Sequence, residues 1–359
     1  MKPVIRIAAH REEAATAEDA LLRRLSSIRP LPHEAVSAVY MVVGILALER
    51  LPVTYPRSAI LLAFADKVAF VGGLALVAIA ARRLLFRRAE GRPDPTPVRL
   101  ESLIVLRSVL CLLPVLSLHF LIKSFIHLLN PRMWDLSLLQ WDRFFFLGLS
   151  PSLFFTGLFN QPSFLHAIDI VYSFLYALIV VGSCGAFLSL LPPARRLAFT
   201  AAWAFLWIAG SLLYVALPSW GPVFVVPQIF EGVLQKMPET VGVQSVLFRE
   251  IASLVAHPYS ERLVRFGSVA AFPSLHLGAI TVITLASRGV SRTWFVLNGL
   301  FVLLMLIGSV VTGYHYLVDG WAGILLGLGV WKAGRLLTRK WEPGARPLPS
   351  GPGRAEETS

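Results

Sequence analysis

Charge is scarce in this chain. Of its 359 residues only 15% are Asp, Glu, Lys or Arg, while 56% are hydrophobic. Soluble domains carry about 25% charged residues, and the mean hydropathy here is +0.67. So much apolar sequence excludes a single soluble core and makes the bilayer its natural solvent. Cysteine is almost absent. Cys111 and Cys184 are the two present and both sit inside apolar runs, which argues against a disulfide framework or a thiolate metal site. No secretory leader pattern opens the chain: the first 34 residues are polar and apolar sequence starts near Ala35. No internal repeat is visible. The net charge of +12 is not a nucleic-acid footprint, because the basic residues lie between apolar runs rather than on one polar domain, as membrane topology demands.

What the chain has in abundance is membrane-length apolar sequence. A span needs about 20 such residues, and eight are expected: 35–51, 58–86, 100–129, 163–191, 196–217, 270–288, 292–312 and 316–338. The fold class is therefore all-α, a polytopic membrane helix bundle. Its expected organisation is a cytoplasmic segment 1–34, two accessory spans and a basic loop at 35–99, a six-helix catalytic core at 100–338 and a disordered tail at 339–359. Within the first segment, residues 16–28 form an amphipathic helix whose Leu21, Leu25 and Ile28 share one face, suited to the membrane surface. The apolar stretch 144–159, with Pro151 inside it, reads as interfacial or re-entrant. Eight spans return both termini to one side. The polar segments on that side hold 22 of the 33 basic residues, against eight on the other. The positive-inside rule makes the richer side cytoplasmic.

Two segments carry chemistry. Ala271-Phe272-Pro273-Ser274-Leu275-His276 opens the sixth span, and Gly313-Tyr314-His315-Tyr316-Leu317-Val318-Asp319 opens the eighth. A hairpin of spans six and seven brings both to one membrane face, the non-cytoplasmic one. Pro273 suits a first helical turn, which would leave the N–H groups of Ser274, Leu275 and His276 free for an anion. Ser274 adds a hydroxyl. His315 and Asp319 stand i, i+4, so the carboxylate can hold one imidazole nitrogen protonated while the other attacks. His276 faces them as general acid. A His-His-Asp set is also a possible zinc or iron site, but no further Cys, His or Glu cluster supports a metal, and none is expected.

These segments resemble the type 2 phosphatidic acid phosphatase superfamily, with motifs K-x6-R-P, P-S-G-H and S-R-x5-H-x3-D. Here the second reads Pro273-Ser274-Leu275-His276 and the third keeps His315-x3-Asp319, with Gly308-Ser309 where Ser-Arg would fall. Lys123-x6-Asn130-Pro131-Arg132 has the spacing of the first motif but carries asparagine in place of arginine. The departures, together with Asp135-x2-Leu138-x3-Asp142, look like the inositol phosphorylceramide synthase branch. The resemblance covers about 100–338 and implies a lipid-phosphate enzyme without metal or cofactor. In it His315 attacks phosphorus and forms a phosphohistidine, His276 protonates the leaving alcohol and Asp319 orients His315, while Ser274, Lys123 and Arg132 bind phosphate.

The expected reaction is head-group phosphotransfer from a phospholipid to an alcohol. Hydrolysis of a lipid phosphate or prenyl pyrophosphate is the alternative, and a non-catalytic transport or scaffold protein a further one. The partners are a lipid in the membrane and an acceptor, water or alcohol. No nucleic acid is expected, and the sequence leaves the oligomeric state open. Two other features bear on the site. The long loop 218–269 on its side reads equally as a lid or as an interfacial shelf. His166, Asp169, Tyr172 and Tyr176 recur at helical spacing on the fourth span, where polar packing between helices is favoured over a lining role.

Overall fold

The structure, a computed structural model, describes residue 16 and residues 18–27, 29–52, 69–84, 96–257 and 270–341. Among these residues there is helix and no strand. The principal helices are α1 (18–26), α2 (Pro32–Leu48), α3 (69–84), α4 (Val98–Ser124), α5 (Asp135–Phe145) and α6 (Pro151–Leu158). They continue as α7 (Pro162–Leu190), α8 (Pro193–Ala216), α9 (Pro238–Ala256), α10 (Leu275–Ser287), α11 (Arg292–Val311) and α12 (Leu317–Thr338). Five of them (α2, α6, α7, α8 and α9) begin on proline, whose missing N–H costs nothing at a first turn. Four helices, α4, α7, α8 and α11, are long and apolar enough to cross a membrane. The protein is an all-α membrane helix bundle.

α8 lies at its heart, with two-thirds of its most apolar stretch buried, and packs against α4, α10 and α12. Between lipid-solvated helices there is little hydrophobic drive, so association depends on close approach of small residues. α12 supplies them. A Cβ on Gly334 would come within 2.5 Å of the Ala198 carbonyl oxygen on α8, and one on Gly323 within 2.1 Å of the Ser274 carbonyl oxygen ahead of α10.

Glu101 and Arg196, ionisable groups buried at the end where α4 and α8 begin, are paired, as buried charges must be. Glu101, 1% exposed, meets Arg82, Arg83 (2.6 Å) and the fully buried Arg196 (3.0 Å). Arg196 also donates to the carbonyls of Leu191 (2.5 Å) and Ser189 (2.7 Å). Arg107, expected inside the third span, pairs with Glu34 and donates to the carbonyls of Leu25 (2.9 Å) and Ser27 (3.2 Å).

Three expectations are corrected. The apolar face of α1 is not laid on the membrane surface: Leu21 and Leu25 are buried against Leu31, Leu100, Ala194, Leu197 and Trp341. That cluster gives them a protein partner for the same apolar area; Ile28 lies outside the described residues. The sixth span is shorter than 270–288. Its helix starts at Leu275, and 270–274 is non-helical and largely buried in protein. The first span starts earlier and ends at Leu48. Of the second span only 69–84 falls among the described residues, and the tail beyond Trp341 lies outside them. The stretch 144–159 contains the end of α5, a turn with Leu147 and Gly148 at positive φ, and α6, and it exposes Phe144, Leu147 and Phe154.

Candidate active site

His315 lies in the turn between α11 and α12, and His276 is the second residue of α10. Their ring centroids are 5.8 Å apart with planes inclined at 68°. The elements therefore bring the two expected histidines together. His315 is 4% exposed. His276 keeps an accessible surface with Tyr172, Tyr176 and His315 packed around its ring.

The orientation of His315 is set differently from the expectation. Its Nδ1 is 2.9 Å from the Ala271 carbonyl oxygen. A carbonyl only accepts, so Nδ1 carries the proton and Nε2 keeps its lone pair. Asp319 stands further off, with Oδ2 3.5 Å from Nδ1, and the same oxygen accepts from the Tyr316 N–H at 2.9 Å. His315 is not on the helix with Asp319, because α12 begins two residues later. Burial, with a smaller push from the Lys123 charge against the pull of the Ala271 carbonyl, lowers the His315 pKa to about 4. At neutral pH the ring is uncharged, as a nucleophile requires.

The start of α10 also departs from the expected form. Pro273 precedes the helix, Ser274 is its N-cap, and the Ser274 N–H is taken by the Asp319 carbonyl oxygen at 3.0 Å. The free donors are thus the first-turn N–H groups from Leu275 onward, which helix geometry leaves without intrahelical partners. The Ser274 hydroxyl is buried and has no protein partner, and neither has Asp319 Oδ1. Lys123, near the end of α4, has its ammonium 5.7 Å from the centre of the Tyr214 ring. It is partly accessible yet deep in protein, and its charge is felt at both histidines. Arg132 is placed elsewhere. It is exposed, its guanidinium 4.4 Å over the Trp134 ring, and no contact among the described residues joins it to the histidines.

The supports of this site were only partly foreseen. Asp135 accepts from the N–H groups of Trp220 (3.0 Å) and Gly221 (2.9 Å) and from the Tyr316 hydroxyl (3.0 Å). Asp142 accepts from Leu317 N–H (3.0 Å) and Val318 N–H (2.8 Å), the first turn of α12. Between them Leu138 is fully buried against Tyr316 and Val318. The Asp-x2-Leu-x3-Asp pattern is thus one face of α5 holding the start of α12. Burial raises both carboxyls, Asp142 to about 7, against the pull of their N–H donors.

Residues 218–244 are fastened to both histidine segments. Ser219 accepts from the Ala271 N–H (2.9 Å) and, through its hydroxyl, from the Phe272 N–H (3.0 Å). Val223 N–H donates to the Gly313 carbonyl (2.9 Å), and the Gln244 side chain to the Thr312 carbonyl (2.7 Å). Gly221 has φ +103°, and a Cβ there would sit 2.4 Å from the Tyr314 carbonyl oxygen, so only glycine fits the crossing. Asp169, fully buried, accepts from Glu239 and Thr240 N–H at 3.0 and 2.7 Å and so anchors α9; His166 is exposed. Tyr172 and Tyr176 pack on His276, with ring centroids 5.5 and 4.8 Å away. His119, overlooked in the sequence, bonds Ser211 Oγ at 2.8 Å, and Ser211 meets the Tyr40 hydroxyl at 2.8 Å. Its histidine in an apolar run was the available signal.

This is a membrane helix bundle with two histidines brought together at the starts of two helices. A family model of the PAP2 superfamily matches residues 136–333, from α5 into α12. The chain belongs to the PAP2 superfamily. That membership carries lipid-phosphatase-like phosphoryl chemistry. α4 and Lys123 lie outside the matched residues. No curated protein matches the chain significantly, and no solved structure does.

Proposed function

We propose that the protein transfers the phosphorylated head group of a phospholipid to an alcohol through a covalent intermediate on His315. The observation that carries this is the bond from His315 Nδ1–H to the Ala271 carbonyl, which leaves a neutral Nε2 free on the ring that stands beside His276. In the first half, with His276 entering as the imidazolium, the Nε2 lone pair attacks phosphorus, the bond from phosphorus to the diglyceride oxygen breaks, and His276 gives that oxygen its proton. In the second half, His276 takes the proton of the acceptor hydroxyl, whose oxygen attacks phosphorus as the P–N bond breaks. Ser274, Lys123 and the N–H groups at the α10 start hold the phosphoryl oxygens, fixed donors being the main source of rate. Arg132 has a lesser role than its place beside Asn130-Pro131 suggests. Transfer is preferred to hydrolysis because Leu275, Gly308-Ser309 and the Asp135-x2-Leu138-x3-Asp142 pattern resemble the synthase branch. The pocket opens on the non-cytoplasmic side and both termini are cytoplasmic, on the strength of the basic-residue asymmetry.

The test uses purified protein in detergent with phosphorus-labelled phospholipids and lipid phosphates, an alcohol acceptor, and EDTA throughout. A labelled new phospholipid that disappears in His315→Ala supports transfer. Free phosphate that disappears in the same variant replaces transfer by hydrolysis. Equal turnover in both proteins overturns the role of His315, and activity seen only without EDTA overturns metal independence.

A further inference from the structure

Tyr172 stands where α7 leaves regular geometry. Residues Val171–Leu175 form a π turn, a feature that re-aims side chains and recurs at functional sites. The Tyr172 ring is stacked on Tyr314 at 5.3 Å with planes 7° apart, and its centroid is 5.5 Å from that of His276. Gly308 on α11 makes the room: a Cβ there would touch Ile168 at 3.3 Å and Tyr172 Cδ2 at 3.6 Å. The ring alone could be packing. The hydroxyl is harder to explain that way, because it is buried with no protein partner. Burying such a group unpaired carries a desolvation penalty that phenylalanine would avoid. The Ser274 hydroxyl and Asp319 Oδ1, on the two segments that carry the histidines, are buried and unpaired as well. Of these atoms the two hydroxyls, on elements around one pair of histidines, are donors that the acceptor oxygens of a ligand would satisfy.

We propose that the Tyr172 hydroxyl donates a hydrogen bond to a non-bridging phosphoryl oxygen of the lipid, making Tyr172 a further catalytic residue beside Ser274 and Lys123. The proposal rests on the two-histidine reading of the site. With ring centroids 5.8 Å apart and planes inclined at 68°, the histidines stand nearly edge to face, so the phosphoryl group is received beside the pair, where Tyr172 flanks His276. The donor matters most as charge gathers on the phosphoryl oxygens, so its removal is felt in the chemical step more than in binding.

The variant is Tyr172→Phe in the full chain, which keeps the ring and its stacking and deletes an unpaired hydroxyl. It should fold, with an unchanged or higher melting temperature. With a labelled lipid that the wild type turns over, kcat should fall by about 10²–10³-fold, as on loss of one oxyanion donor, with KM changed only a few-fold. Inhibition by orthovanadate, which imitates the five-coordinate phosphorus, should weaken by roughly tenfold or more. Wild-type kcat and wild-type vanadate inhibition in Tyr172→Phe would overturn the proposal and leave the ring as packing. If His315→Ala is inactive while Tyr172→Phe is unimpaired, this proposal alone fails. If His315→Ala is active, the two-histidine reading fails with it.

Discussion

Gly323→Ala is a one-methyl change about a turn away from Asp319 on α12, and the structure makes it severe. A Cβ at that position would lie 2.1 Å from the Ser274 carbonyl oxygen, 3.0 Å from its carbonyl carbon and 3.3 Å from Gly278 N. All three are backbone atoms, so no side chain can swing away. Restoring an ordinary carbon–oxygen contact needs roughly 1 Å of separation between α12 and the start of α10. That movement stretches the Ser274 N–H bond to the Asp319 carbonyl, now 3.0 Å, and shifts Ser274 and His276 away from His315. Overpacking costs about 1–3 kcal/mol, and the better helix propensity of alanine returns about 1 kcal/mol. Stability therefore falls by no more than about 2 kcal/mol. Activity falls further, because a misplacement of about 1 Å costs on the order of 10²-fold. The control is Gly329→Ala on the same helix, where a Cβ meets nothing within 4 Å. Turnover of labelled lipid and melting temperature, measured on both variants at equal folded concentration, decide the matter. Turnover in Gly323→Ala equal to that of Gly329→Ala would refute the claim that this crossing sets the spacing of the site.

Three other outcomes are expected. Asp142, raised to about 7, holds its proton in the fold across a range where the unfolded carboxyl has lost it; stability should decline as pH rises from about 4 to 7 and level off above. Melting temperatures of Asp142→Asn should lack that slope, and an identical slope in both proteins would remove Asp142 as its source. Asp135→Ala strips the acceptor from two backbone N–H groups and the Tyr316 hydroxyl and should cost about 3 kcal/mol or more. Asp135→Asn, which keeps one acceptor oxygen, should fall between it and the wild type in thermal unfolding. Lys123→Ala should lower kcat/KM by at least about tenfold, losing a charge near the phosphoryl group, whereas Arg132→Ala should stay within about twofold; the reverse order in the same assay would restore Arg132 to the site.

Hydropathy made the bundle legible, because bilayer thickness fixes how long an apolar run must be. The meeting of His276 and His315 was legible for a related reason, since a hairpin of two spans returns the chain to one face. What hydropathy could not locate was where helix gives way inside an apolar run. Ala270, Ala271 and Phe272 are as apolar as the helix they precede, yet they are non-helical, and that freed backbone supplies the carbonyl that orients His315. Backbone acceptors leave no mark in a sequence, so Asp319 was credited with a bond that Ala271 makes. The Asp135, Leu138 and Asp142 spacing was visible as a pattern, but its purpose depends on a helix start 175 residues away. Lys123 and Arg132 flank the same Asn-Pro pair, and only the helix ending at Ser124 separates a side chain directed into the bundle from one directed out of it.

The supports of the site form a closed circuit rather than separate props. Asp135 holds Gly221 and Tyr316, Ser219 holds Ala271, Ala271 holds His315, and Asp319 holds both Tyr316 and Ser274. Each carboxylate or carbonyl thus fixes a backbone segment that carries the next. In such a circuit the first break releases most of the constraint, and a second removes little that remains. Substitutions at Asp135 and Ser219 should therefore fall short of additivity in their effects on turnover, with an interaction of about 0.5–3 kcal/mol in a double-mutant cycle. Independent props would add. The distinction bears on function, because phosphoryl transfer asks the protein for position more than for chemistry, and here position is held by a ring of buried bonds that closes over both histidines.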